Sequence, residues 1–237
     1  QDDARHVMLK PKHECDPVRV VIFAARRTGS SLLVRELRRS RLVLMHGEIF
    51  HVTNPRDPDD GFAGSSMPPE EAFYSRRQEP RKLLQHIQCH SLGFGAVGFK
   101  VFHDHLRPRN WPVLTQWCTV CVLLTRDDVI AQGRSLLIAR RTGLWKGRSR
   151  WPWGHLNETA AETASLTALH RYRSTWYNTV LVQALARTPP PTLVRLSYER
   201  HLRGRPNLTE LLKHLPVRTN MVEQRPASTT QVNSQAS

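Results

Sequence analysis

Runs of apolar residues alternate with amphipathic stretches along most of the chain. The first run, at residues 18–25 (VRVVIFAA), is nearly continuous, as in a strand buried on both faces. Similar runs predict strands at residues 42–45, 95–102, 118–124 and 193–196. Apolar residues at helical spacing, with flanking turn and cap signals, predict helices at 30–40, 70–91, 109–117, 129–141, 157–186 and 198–215.

This alternation predicts a single α/β domain with a mostly parallel sheet. We expect residues 1–16 to form a flexible N-terminal arm and residues 17–237 to form the domain, because the length suffices for one large core. In open sheets of this kind, ligands bind at the carboxyl ends of strands, near the point where the strand order reverses. The turns that follow the strands are therefore the places where chemistry is expected.

The turn after the first strand carries a set of groups suited to an anion. Arg26 and Arg27 supply charge in a planar fork, and Thr28, Ser30 and Ser31 supply hydroxyl donors. Gly29 lets the backbone approach a ligand closely. The helix predicted to begin at Ser30 would point its unpaired N–H groups and its positive dipole end at the same place. The turn thus predicts a site for a doubly anionic group.

A nucleoside triphosphate loop is one alternative for this turn. That motif requires GxxxxGK[ST], whereas here a single glycine is followed by no lysine. The turn is also short, so it can wrap one phosphate-sized group rather than two. A Mg²⁺-dependent P-loop nucleotide kinase or NTPase is therefore less favoured, but it remains the enzymatic alternative.

A second turn of interest follows the strand predicted at 118–124. It contains Arg126, and Ser135 follows nine residues later on the next predicted helix. Taken with Arg27-Thr28-Gly29-Ser30-Ser31, this arrangement resembles the PAPS-dependent sulfotransferases, whose first turn reads R-[ST]-G-[ST]-[ST]. It is most similar to the bacterial carbohydrate type, which acts on nodulation factors, trehalose and other glycans. Gln132 and the Thr142-Gly143-x-Trp145 stretch add to the similarity.

The resemblance implies a P-loop-like three-layer α/β fold, with a mostly parallel central sheet flanked by helices. It implies that the first turn holds the 5′-phosphosulfate of PAPS and that Arg27 supports the departing oxygen. By the same resemblance, Arg126 and Ser135 hold the 3′-phosphate. Gln224 and Arg225 resemble a tail loop that closes over the nucleotide, and residues 196–199 (LSYE) resemble a late element that is mainly structural.

One position departs from the family pattern. Many members carry a second arginine after the one at Arg126, and here that position is Asp127. Because an acid beside a phosphate is unfavourable, we expect Asp127 to turn away or to cap the following helix. Arg134 is an alternative phosphate ligand.

Sulfuryl transfer from PAPS to a carbohydrate or glycolipid hydroxyl also needs a base, and in-line geometry without a covalent intermediate. Glu48 ranks first, because related carbohydrate enzymes place a carboxylate after the second strand. His51 is a further catalytic candidate, since a histidine with a pKa near neutrality also suits the task. The remaining histidines near predicted strand ends are His46, His103 and His105. Three tryptophans could stack on a sugar or simply pack in the protein: Trp145, Trp151 and Trp153.

The charge balance bears on partners. Lys and Arg number 35 against 20 Asp and Glu, a net charge of +15, which fits a polyanionic donor and an anionic acceptor. A basic nucleic-acid-binding module is the alternative from another class, but the aromatic residues cluster at 145–153 instead of lining a stripe of arginines. We expect no nucleic-acid partner, and a homodimer is left open.

The cysteines do not predict a metal site or a redox pair. Cys118 and Cys121 have a CxxC spacing, but they lie in an apolar run that favours a buried strand, and no second pair completes a metal site. The sulfuryl-transfer chemistry requires no metal. No apolar run reaches the roughly 18 residues of a membrane helix. We expect a cytoplasmic protein if the chain is complete, and a membrane-anchored, Golgi-type protein if an N-terminal segment is missing.

Overall fold

The computed structural model describes part of the chain, and the fold is given for those residues. They are 17–41, 43–51, 79–89, 94–106, 110–143, 145, 164, 167–168, 171, 185–186, 189–204 and 206–215. The predicted N-terminal arm, the tail with Gln224 and Arg225, and most of the helix predicted at 157–186 lie outside this part.

A five-stranded sheet forms the centre of the molecule, and all of its strands run parallel. The strands are β1 (Val18–Ala24), β2 (Val43–Met45), β3 (Ala96–Val101), β4 (Val120–Thr125) and β5 (Thr192–Ser197). Their order across the sheet is β2-β3-β1-β4-β5. With helices packed around the sheet, this confirms the predicted α/β three-layer class.

The strand order places the two predicted turns side by side. After β1 the chain crosses to the β2 edge, whereas after β4 it moves toward β5, so the order reverses between these adjacent strands. Val20 of β1 pairs with Val120 of β4, and Ala24 pairs with Leu124. Both strands therefore end at the same edge, and the turns at residues 25–29 and 126–128 meet at the position where such sheets bind ligands.

Alternate residues of the central strands feed two separate apolar layers. Val21 and Phe23 of β1 pack on one face, with α2 (Pro80–Cys89) and α3 (Trp111–Trp117). Val20 and Ile22 pack on the other face, with α1 (Ser30–Arg39). This two-sided burial explains why β1 reads as a continuous apolar run.

Helix α1 begins directly after the first turn and fixes its position. Leu33, Val34 and Leu37 form its buried face, while Arg35 and Arg39 are exposed on the other side. Each buried leucine contributes roughly 1.5–3 kcal/mol to folding. Arg38 donates a 2.8 Å hydrogen bond to the carbonyl of Met45, which ties the end of the helix to β2.

Helix α4 (Val129–Thr142) follows the second turn. Its N-cap is Asp128, whose carboxylate accepts a 2.8 Å hydrogen bond from the N–H of Ala131. It ends at Gly143 in the left-handed conformation. The prediction of a helix over 129–141 is thus confirmed to within one residue.

Two sequence predictions need correction. The segment predicted as mostly helical at 198–215 forms a short π-helical turn (Tyr198–Leu202) and a separate helix, α5 (Thr209–Leu212). Gly204 lies between them at φ 81°, and the chain there leaves the helical conformation. Cys121 does lie in a buried strand, but the structure joins it to Cys118 in a disulfide that the sequence did not predict.

Within the described residues, no helix has the length and apolarity needed to cross a membrane.

Candidate functional site

Two residues of the first turn adopt the left-handed backbone conformation. Arg27 has φ 65° and Gly29 has φ 86°, which bends the chain sharply between β1 and α1. The Thr28 hydroxyl donates a 2.8 Å hydrogen bond to the carbonyl of Ala25, so its hydrogen is engaged within the turn. The helix begins at Ser30 with no side-chain cap on its first N–H groups. These groups and the helix dipole face the turn, as an anion site requires.

The side chain of Arg27 reaches from the first turn to helix α4. Its Nε donates a 2.8 Å hydrogen bond to Oγ of Ser135, and one terminal nitrogen donates to the carbonyl of Trp145 at 2.7 Å. Burial lowers the pKa of Arg27, and the nearby Arg126 guanidinium lowers it further. The side chain stays charged, because arginine does not deprotonate in proteins. A cation in this setting favours an anionic ligand.

Arg126 joins the two turns through the backbone. Its guanidinium donates a 3.1 Å hydrogen bond to the carbonyl of Arg27 and lies 4.7 Å above the ring centre of Tyr198. Its Nε is 3.6 Å from a carboxylate oxygen of Glu199. Three of the predicted site residues, Arg27, Arg126 and Ser135, therefore lie together at the carboxyl edge of the sheet.

Both carboxylates of the second turn accept hydrogen bonds within the protein. Asp127 accepts a 3.2 Å hydrogen bond from the Ser197 hydroxyl. The N–H of Asp127 donates to Glu199 at 2.9 Å, and the N–H of Asp128 donates to the same carboxylate at 3.3 Å. Asp127 thus bonds to the end of β5, and the neighbouring Asp128 is the acid that caps the helix.

Arg26 points to the opposite side of the first turn from Arg27. It forms a 2.9 Å ion pair with Asp104, and its guanidinium lies 5.2 Å from the ring centre of Phe102. Gln132 of α4 donates a 2.7 Å hydrogen bond to the Arg26 carbonyl, which holds the backbone of the turn. The two arginines therefore serve different regions of the site.

The region beside Arg26 contains the leading candidate base. Glu48 lies just after β2, and Nζ of Lys100 is 2.9 Å from its Oε1. The same Nζ donates a 2.7 Å hydrogen bond to Oγ of Ser31, so Lys100 connects the carboxylate to the first turn. Burial alone would raise the pKa of Glu48, but Lys100 chiefly, with His105 and Arg26, outweighs it and the pKa is lowered. Glu48 is therefore ionised at neutral pH.

Two histidines complete this region. His105 is buried, and its Nε2 lies 3.6 Å from Oε2 of Glu48. Burial lowers the pKa of His105 far below its ordinary value despite the attraction of Glu48 and Asp104, so the ring is neutral at pH 7. His51 stacks edge-on against it, with 5.3 Å between ring centres.

These residues also have the spacing of a cation site. One ligand atom from each of Glu48, His51 and His105 lies within 4.8 Å of the others. Two features oppose a metal there. The Lys100 ammonium already neutralises Glu48. In addition, Nδ1 of His105 accepts the N–H of Phe102, which puts the proton of the neutral ring on the nitrogen that faces Glu48.

Sequence reasoning missed several contributors to this site. Asp104, the partner of Arg26, was not identified, and the only signal was its place among the histidines that follow β3. Lys100 was given no role, although a cation inside a buried strand (GFKVF) is itself a signal. Tyr198 and Glu199 were assigned a mainly structural role, yet both contact Arg126.

Trp151 and Trp153 lie outside the described residues, whereas Trp145 is 44% exposed.

Comparison with known proteins adds one relative. The chain is 28% identical over 130 residues to Nodulation protein H of Rhizobium tropici. The match covers 54% of this chain and 49% of that protein, so the chain spans about half the length of the relative. No family model matches the chain.

Proposed function

We propose that the protein is a sulfotransferase that moves a sulfuryl group from PAPS to a hydroxyl of a carbohydrate or glycolipid. The observation that carries the proposal is the meeting of two cationic turns at the switch point of the sheet, where Arg27 bonds to Ser135 and Arg126 bonds to the Arg27 backbone. PAPS has anionic groups at both its 5′ and 3′ positions, and two adjacent cationic positions suit such a donor. The relative's name connects it with nodulation, and the motif resemblance includes enzymes that act on nodulation factors.

The donor side of the site would be formed by the two turns. The N–H groups at the start of α1, with Ser30 and Ser31, would bind the 5′-phosphosulfate. Arg126 and Ser135 would bind the 3′-phosphate. The Ser135 hydroxyl accepts its bond from Arg27, so it keeps its own hydrogen to donate to a phosphate oxygen. Arg27 would exchange Ser135 for the oxygen that bridges phosphorus and sulfur, where it stabilises the charge that develops as the bond breaks.

The acceptor side would be formed by Glu48 and its neighbours. In the reaction the bond from sulfur to the bridging oxygen breaks, a bond from sulfur to the acceptor oxygen forms, and the acceptor loses its hydroxyl proton. Glu48 would take that proton, since it is ionised at neutral pH and is linked through Lys100 to Ser31. His51 is the second candidate for this role, and Arg26 and Phe102 line the same region.

Nucleotide selectivity tests this proposal. We expect calorimetry to give a dissociation constant for PAP at least about tenfold lower than for ADP or AMP, because a charge-assisted phosphate contact contributes roughly 1.5–3 kcal/mol. Chelation of divalent cations with EDTA should leave PAP binding unchanged. In Ser135→Ala the preference for PAP should shrink, since a ligand of the 3′-phosphate is removed.

Two results would count against the proposal. Equal binding of PAP, ADP and AMP would remove the need for a 3′-phosphate site. Binding of ATP that depends on Mg²⁺ and exceeds binding of PAP would instead favour the nucleotide kinase or NTPase alternative. The Ser40→Ala variant, at a half-buried position just after α1, serves as a control for the serine substitution.

A further inference from the structure

The turn that follows β5 contacts both anion-binding turns, and this contact suggests a role beyond structure. A Cβ built on Gly29 would lie 2.5 Å from a ring carbon of Tyr198, so the ring lies directly against the first turn. The same ring also contacts the second turn, because the Arg126 guanidinium is 4.7 Å from its centre. The Tyr198 ring thus packs against Gly29 of the first turn and contacts the Arg126 guanidinium of the second turn.

Glu199 acts on the same arginine from a different direction. Its carboxylate accepts the N–H groups of Asp127 and Asp128 at 2.9 and 3.3 Å, which fixes the backbone immediately after Arg126. It also lies 3.6 Å from Nε of Arg126. A long side chain loses less conformational freedom on binding a ligand when it is already fixed in the bound orientation.

We propose that Tyr198 and Glu199 are positioning residues that hold the Arg126 guanidinium in place for the 3′-phosphate of the donor. The inference rests on the proposed function, because it concerns the donor of that reaction. Tyr198 acts through the face of its ring, which attracts a cation and keeps the guanidinium flat against it. Glu199 acts through the backbone of the second turn and through its charge.

The pairing of β4 with β5 explains how these residues reach the site. Thr125, the last residue of β4, pairs with Ser197, the last residue of β5. Tyr198 therefore begins its turn at the same edge of the sheet as Arg126. Ser197 adds a hydrogen bond to Asp127, which keeps that acid on the β5 side of the turn.

Calorimetry with PAP and ADP, which lacks the 3′-phosphate, tests the inference. Tyr198→Leu should weaken PAP binding about tenfold while ADP binding changes less than about twofold, because a cation–π contact is lost at one phosphate only. Tyr198→Phe keeps the ring and should bind PAP as the wild type does. A merely structural role would weaken both nucleotides together, or neither.

Glu199→Gln provides a second variant that keeps the shape of the side chain. It too should lose PAP affinity selectively, since an amide has a single oxygen and cannot replace both carboxylate oxygens that accept the N–H groups of Asp127 and Asp128. This variant decides the matter if Tyr198→Leu does not fold. An unchanged or increased preference for PAP over ADP in Glu199→Gln, or in a folded Tyr198→Leu, overturns the inference alone. If the wild-type protein does not bind PAP, the proposed function is overturned and the inference with it.

Discussion

At the scale of single residues, the site depends on how charged side chains are paired. Arg26 and Arg27 are neighbours in the chain, yet Arg26 pairs with Asp104 while Arg27 reaches Ser135. Arg27 has a left-handed φ of 65°, so the backbone turns at the point where the two side chains take different partners. One dipeptide therefore supplies a cation to the proposed acceptor side and another to the proposed donor side.

Lys100 determines the protonation of Glu48. Burial opposes ionisation of this carboxyl group, and Lys100 is the largest of the influences that favour it. Lys100→Met should therefore raise the pKa of Glu48, which an NMR titration of the side-chain carboxyl group would detect. Lys213→Met is a matched control, because Lys213 forms an ion pair with Glu210 at an exposed position far along the chain. That variant should leave the pKa of Glu48 unchanged.

The same pairing gives a direction for stability. The pKa of Glu48 is lowered in the folded protein, so its contribution is present above the ordinary value of about 4.3 and is lost as the pH falls through the lowered value. The destabilisation caused by Lys100→Met should thus be larger at pH 7 than at acid pH. A titration in which the pKa of Glu48 stays the same or falls in Lys100→Met would contradict this account of the pair.

At the scale of elements, the first turn requires a glycine at position 29 for two reasons, its backbone conformation and its close contact with Tyr198. Gly29 adopts a left-handed conformation, and its missing side chain leaves room for the Tyr198 ring. Gly143, at the end of α4, also has a positive φ, but an added Cβ there meets no described atom within 4 Å. Alanine at Gly143 therefore measures the free-energy cost of a left-handed backbone alone, whereas alanine at Gly29 adds the cost of the steric contact with Tyr198.

Urea denaturation of the two alanine variants measures this difference. Gly143→Ala should cost about 1–2 kcal/mol, the penalty of a left-handed alanine. Gly29→Ala should cost about 1–3 kcal/mol more, because the new methyl group displaces the Tyr198 ring. Equal losses would show that the ring moves aside freely, contrary to the close packing described for the turn.

The sequence predicts the elements better than it predicts their contacts. The five strands are recognisable because central strands buried on both faces read as apolar runs, and even the half-exposed β5 keeps apolar residues at its buried positions. The strand order is not encoded in these runs, so the contact between Arg27 and Ser135, 108 residues apart, could be suggested only by resemblance. The helix predicted at 198–215 was wrong in detail, because the stop signal of Gly204 followed by Pro206 was not given its weight.

The candidate site shows the same division between local and distant information. The first turn was predicted from local chemistry, since cations, hydroxyls and a glycine follow one another in the chain. Lys100 and Asp104 belong to the site only because β3 lies next to β1 in the sheet. A local pattern can mark such residues, as the lysine inside the GFKVF strand does, but it does not identify their partners, which the fold brings to them.

At the scale of the whole molecule, the sheet brings the carboxyl ends of its five parallel strands to one edge. The turns after β1, β4 and β5 meet at the proposed donor side, and residues after β2 and β3 form the proposed acceptor side. The net charge of +15 suits the anionic donor of the proposed function. Donor binding should accordingly weaken as salt concentration rises, as expected for steered association.

A crystal structure with bound PAP tests the central claim most directly. The account predicts the 5′-phosphate at the N–H groups of residues 29–31, and the 3′-phosphate within about 3 Å of both Arg126 and Ser135. Arg27 should then have left Ser135 for the ligand. A nucleotide bound on another face of the molecule, or with its 3′-phosphate touching neither Arg126 nor Ser135, would contradict the account.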